Sequence, residues 1–230
     1  MAKKINPSSE RDMSNVGEIL SKSEQFIDKY QKQIITGISA IILIVVVVLG
    51  VKHLYLAPKE REAEVAIYKG EQYLANGQWD LALNGDSLDY TGFEAIISDY
   101  SFTKTAKLAN VYAGICYYHK GELEKAIGYL KKFNANDKMV SPAITGLIGD
   151  CYVDLGKVKE GIDYFMKAAS KANDGMLSPI FLKKAGVASE SLGDYKKAIE
   201  VYTTIKDKYP ASQEANDIQK HIIRLEALSK

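Results

Sequence analysis

AGICYYHKGELEKA, from Ala113 to Ala126, is the stretch on which the fold turns. Gly121 divides it: Gly114 and Tyr117 lie three residues apart on one face of a helix before the glycine, and Ala126 lies five residues into a second helix after it. Glycine breaks the helix, and small residues on both arms let two helices cross closely. GVASESLGDYKKA, from Gly186 to Ala198, repeats the arrangement around Gly193.

Working outward, the turn glycines Gly77, Gly121, Gly156 and Gly193 set the period. Another glycine stands seven residues before each, at Gly70, Gly114, Gly149 and Gly186, and Tyr73, Tyr117, Tyr152 or Ser189 stands four before. Five residues after come Ala82, Ala126, Gly161 and Ala198. Ser141-Pro142 and Ser178-Pro179 read as N-caps followed by first-turn prolines. Beyond Pro210, Ser212 is placed to cap a last helix with Ala215, Ile218, Ile222, Leu225 and Leu228 on one stripe, as the exposed end of a stack requires. The expected fold is all-α: one N-terminal transmembrane helix, an α-solenoid of about four helical hairpins, and a C-terminal capping helix.

The pattern resembles the tetratricopeptide repeat from Glu62 to Pro210. Gly161 in the third copy and Ser189 in the fourth depart from it, and the first copy carries an insertion, NGDSLDYTG from Asn84 to Gly92, ahead of a helical run from Phe93 to Tyr100.

IITGISAIILIVVVVLGV, Ile34 to Val51, is eighteen residues without a charge. As a helix it is about 27 Å long, and Leu54, Tyr55 and Leu56 extend it across a hydrocarbon core, while Lys29, Lys32 and Lys52 are placed to snorkel. Thirty-three residues precede it and no small-x-small cleavage site follows Gly50, so it reads as an uncleaved anchor in contact with membrane lipid. Lysines and arginines flank both ends, and positive-inside counting leaves the orientation open. Ahead of the span, Val16, Ile19, Leu20, Phe26, Ile27 and Tyr30 share one face of a helix that Ser14 or Asn15 would cap, suited to a membrane surface or a docking partner. The expected division is a leader over 1–33, an anchor over 34–56 and a repeat domain over 57–230.

Thirty basic residues nearly cancel twenty-nine acidic ones, which argues against nucleic acid as a partner. No phosphate loop, nucleophile elbow, CxxC or HExxH pattern occurs, and His53, His119 and His221 are isolated in sequence. The expectation is no enzyme, no cofactor, no metal site and no small-molecule substrate. Cys116 and Cys151 occupy equivalent repeat positions on neighbouring first helices, where axis spacing favours buried thiols over a disulfide.

The first helices have a second face, turned away from their hairpin partners, which in solenoids lines the concave groove. In the first two copies it carries Ile67, Leu74, Leu108, Val111, Ile115 and Tyr118. This apolar stripe is either a docking groove for a partner or a face covered by the insertion or a neighbouring helix.

The whole arrangement of anchor, leader and four repeats resembles the YfgM-like family of ancillary Sec-translocon subunits. That resemblance implies a bacterial inner-membrane protein with a cytoplasmic N-terminus and periplasmic repeats, whose partners are SecYEG and a membrane-anchored peptidyl-prolyl isomerase-like chaperone. A general scaffold for envelope-complex assembly and a cytoplasm-facing adaptor are the alternatives; many of the former are lipoproteins, and no cysteine here stands just after the apolar segment.

Overall fold

The computed structural model describes residues 7–135 and 137–229, with side chains from residue 29 onward. Among these residues all regular structure is helical. The chain divides into two compact units, Met1–Ala57 and Pro58–Lys230.

In the first unit α1 runs Pro7–Gly50 and is followed by a π-helical segment, Val51–Leu56. The apolar side chains from Ile34 to Leu54 are exposed, and one helix here is long and apolar enough to cross a membrane. Among the described residues this helix runs without a break through Ser14 and Asn15, so neither caps a helix there. The amphipathic face expected from Val16 to Ile27 lies outside the described side chains.

In the second unit the hairpins are α2 (Ala57–Ala75, of which the unit holds Pro58 onward) with α3 (Trp79–Asn84), α5 (Lys104–His119) with α6 (Leu123–Leu130), α7 (Val140–Asp154) with α8 (Val158–Ala172), and α9 (Leu177–Ser191) with α10 (Tyr195–Lys208). Helix α4 (Phe93–Asp99) follows the insertion, and α11 (Ile218–Leu228) closes the stack. The four turns are built alike. Each turn glycine is left-handed, with φ between 70° and 76°. The next residue's amide donates back to the carbonyl of the residue four before that glycine: Gln78 to Tyr73, Glu122 to Tyr117, Lys157 to Tyr152 and Asp194 to Ser189, at 2.9–3.0 Å. Closing these orphan carbonyls at a positive φ is what glycine permits.

The glycine seven before each turn is a slot for one large side chain. A Cβ on Gly114 would come within 2.6 Å of Leu130, and one on Gly149 within 2.7 Å of Phe165; Gly186 is filled in the same way by Tyr202. Leu130, Phe165 and Tyr202 share one register position, and in the first copy that position is Asp86. A carboxylate cannot fill an apolar slot without a large desolvation cost. Helix α3 accordingly stops at Asn84, and the insertion returns Tyr90 and Phe93 onto Gly70 instead. Tyr90 is buried and its hydroxyl donates to the Ala82 carbonyl at 2.8 Å.

Asp86 organises the insertion. One carboxylate oxygen accepts from the amides of Leu88, Asp89 and Tyr90 at 2.9–3.1 Å. The other accepts from the Tyr73 hydroxyl at 2.6 Å and pairs with Lys69 at 2.8 Å. Lys69 and the Tyr73 hydroxyl hold this carboxyl far below the usual range. Gly85 and Gly92, at φ 90° and 93°, pass backbone against backbone where any side chain would collide.

Two local readings need correction. Ser141 and Ser178 are not N-caps, because α7 and α9 already include them, beginning at Val140 and Leu177, two residues before the prolines. Asp137 and Asp174 do the capping, accepting from the amides of Met139 and Val140 and of Met176 and Leu177 at 2.5–3.0 Å. At the C-terminus Ser212 caps as expected but opens a 3-10 turn, Gln213–Asn216, before α11. Ile218, Ile222 and Leu225 are buried there, whereas Leu228 is exposed.

Candidate protein-binding face

The outward face of the first helices falls into two stretches. In the first two copies the structure brings Ile67, Leu74, Leu108, Val111, Ile115 and Tyr118 onto neighbouring helices, burying Ile67 and Val111 and half-burying the other four. Ile67 and Val111 are only 5% and 4% exposed and belong to one packed cluster with Ile144, Ile148 and Cys151 of α7. Leu74, Ile115 and Tyr118 are half-buried against it. The centre of the stripe is thus packed into the core. Burial, reinforced by Asp154 and Asp150 nearby, pushes the Tyr118 hydroxyl up from its ordinary pKa.

Leu108 stands apart, in the wall of an open pocket of about 460 Å³ with Glu60, Glu64, Glu71 and Lys104. Glu60 has a structural task there. Its carboxylate accepts from the amides of Lys104 and Thr105, both at 2.8 Å, and from the Thr105 hydroxyl at 2.7 Å. It therefore caps α5 from the start of α2, alongside the local cap from the Thr103 hydroxyl to the Ala106 amide at 3.0 Å. Partial burial works to raise the Glu60 carboxyl, and these hydrogen bonds outweigh it, leaving the group below the ordinary range. Tyr112 adds a second tie, donating to Glu71 at 2.9 Å.

The last two copies present the opposite picture. Between α7 and α9 lies a mostly apolar trough of about 440 Å³. Ile180 and Val187 line it at 37% and 51% exposure, Val153 flanks them and Phe165 forms the floor. Lys184 pairs with Asp150 at 2.7 Å and crosses the Phe165 ring at 5.6 Å, while Lys183 and Glu214 mark the rim. Sequence reasoning passed over these residues although the register points to them. Ile180 and Val187 stand thirteen and six residues before Gly193, as Leu108 and Ile115 stand before Gly121. The position of Val111 becomes Gly146 in the third copy, where the Phe181 ring from α9 occupies the space a side chain would take.

Cys116 and Cys151 are both free and buried, and burial pushes each thiol up to about 12. His119 is stacked on Trp79 at 4.3 Å, and His221 faces Glu190 at 3.2 Å.

Comparison with known proteins agrees with this architecture. The family described as "Anaphase-promoting complex, cyclosome, subunit 3" matches residues 95–168, and the tetratricopeptide repeat family matches residues 181–212. A TPR repeat-containing protein of Methanocaldococcus jannaschii is 31% identical over 100 residues, 44% of this chain; those residues span 17% of that relative's length. Two crystal structures of kinesin-light-chain TPR-like repeats from Podosopora anserina superpose with TM-scores of 0.53 and 0.54 at 12% and 13% identity. Each covers 73% of this chain and 86–87% of its own. The second unit is therefore a tetratricopeptide-repeat α-solenoid. Repeats of this class are scaffolds for protein–protein interaction.

Proposed function

We propose that the protein is a membrane-tethered scaffold, with leader 1–33, anchor 34–56 and repeat domain 57–230, that holds an apolar segment of a partner protein in the trough between α7 and α9. The observation that carries this reading is the exposure of Ile180 and Val187 in one apolar trough on the outward face, a face whose centre the first two copies bury at Ile67 and Val111. A trough of this size suits two or three side chains of an amphipathic helix, with Lys183 and Glu214 placed to meet charges at its margin. Tethering raises the effective concentration of membrane-bound partners, so modest affinity suffices.

The YfgM-like resemblance extends this reading to an ancillary subunit of the Sec translocon in the bacterial inner membrane. The repeats would then be periplasmic, and SecYEG and a membrane-anchored peptidyl-prolyl isomerase-like chaperone would be the partners. Support for this extension is the order of leader, anchor and repeats. The test is co-purification from gently solubilised membranes with the parent and with Ile180→Lys/Val187→Asp. Loss of one specific membrane partner from a variant with unchanged helical melting is expected. Full retention of every partner would rule out the trough, and protection of the repeats from protease added to spheroplasts would rule out the periplasmic placement.

A further inference from the structure

A separate pocket lies between the second and third hairpins, where α6 ends and α7 begins. It is lined by Lys131, Lys167 and Lys171 together with Ser141, Thr145 and Tyr164, over an apolar base, and no carboxylate is among its lining residues. Three lysines line this one pocket with no carboxylate among them, and ammonium charges brought close near a surface repel one another by about 1 kcal/mol or more per pair. Such an arrangement is relieved by an anion.

The cations are held rather than free. Lys131 donates to the Tyr152 hydroxyl at 2.8 Å and lies over the Tyr152 and Tyr164 rings at 5.3 and 5.6 Å. Those two rings are themselves stacked at 5.1 Å. Lys171 donates to the Ser141 hydroxyl at 3.2 Å, and Lys167 stands over Tyr164 at 5.7 Å. On α8, residues 164, 167 and 171 follow helical spacing and share one face. Asp137, four residues before Ser141, is turned onto the amides at the start of α7. The cavity measures about 120 Å³, well below the roughly 300–1,000 Å³ that holds a drug-sized molecule, so it takes a small group only.

We propose that this pocket binds a single phosphate group, with Lys131, Lys167 and Lys171 supplying charge and the Ser141 and Tyr164 hydroxyls supplying hydrogen bonds. The group comes from free phosphate or from a phospholipid headgroup; the lipid source rests on the membrane reading above, whereas the site itself does not.

Inorganic phosphate is titrated calorimetrically into the full chain in an uncharged, phosphate-free detergent, at ionic strength fixed with sodium chloride. One saturable site is expected. Lys131→Gln/Lys167→Gln/Lys171→Gln should weaken it at least about tenfold, because charge-assisted bonds dominate phosphate recognition. Lys196→Gln/Lys206→Gln/Lys208→Gln on α10, with the same change in net charge, should leave it unchanged. The three pocket lysines are exposed residues, and circular dichroism of both triple variants verifies folding. Absence of saturable heat in the parent, or equal weakening in both triple variants, overturns the site. Displacement of bound phosphate by dioctanoyl-phosphatidylglycerol assigns the headgroup as source, and failure to displace it assigns the free ion.

Discussion

The first and last pairs of hairpins both carry apolar residues on the outward face of their first helices, at different register positions: Ile67 and Val111 stand ten residues before their turn glycines and are buried, whereas Ile180 and Val187 stand thirteen and six before theirs and are open. Val111 is packed into a cluster that includes α7, while Val187 and Ile180 sit on α9, the last first helix of the stack, with no further first helix to cover them. Position within a hairpin sets which face a residue occupies. Position within the array sets whether that face meets another helix or solvent. In a solenoid the second variable belongs to neighbours, so apolar residues on one face yield unequal surfaces along the array.

The sharpest way to break this comparison is to place a charge on each face. Val111→Asp puts an unpaired carboxylate into the packed cluster and should cost about 3 to 5 kcal/mol, enough to lower the thermal midpoint of the detergent-solubilised chain steeply or abolish cooperative melting. Helical circular dichroism against temperature reads it, and a melt indistinguishable from the parent would mean the stripe of the first two copies is open after all.

Overpacking tests the hairpin register shared by both halves. Ala126 is fully buried against the close crossing at Gly114, so Ala126→Leu should cost about 1 to 3 kcal/mol by chemical denaturation.

Glu60 sharpens the comparison at the start of the stack, where α2 caps α5. Glu60→Ala should cost about 1 to 2 kcal/mol through loss of a charged cap. Because the folded carboxyl lies below its ordinary value of 4.5, its contribution is full above that pH and fades as pH falls through the lower folded value. Denaturant midpoints from pH 7 to pH 3 should therefore fall less steeply for Glu60→Gln than for the parent. Parallel curves would remove the cap from the account.

Smallest of all should be Val187→Asp, within about 0.5 kcal/mol of the parent, since an exposed side chain gives up little on replacement. A large loss would show that the trough is covered in the folded chain and would undo the proposed docking site.

Much of this was legible in the chain itself. The four turn glycines, the slot glycines and the small residues at the crossings are short-range features, each carrying its meaning within a few residues, and the hairpins form where they point. Asp137 and Asp174 were equally local and equally readable: both stand four residues before a serine-proline pair, and reading the serines as caps misplaced two helix starts by two residues. Asp86 is subtler. Its register position shows that the first copy lacks a slot-filling side chain, but nothing local says that Tyr90 and Phe93 return to replace it.

The sequence by itself determined that the chain is helical, where its hairpins turn, and that one segment is apolar enough for a membrane, because backbone propensity and hydrophobic period act over one or two helical turns. Only the tertiary structure decided that Ile67 and Val111 are core while Ile180 and Val187 are surface, that Glu60 caps a helix forty-four residues away, and that Lys131, Lys167 and Lys171 share one pocket. Each of these depends on which helix packs against which, and burial is a property of that packing, not of the residues taken one at a time.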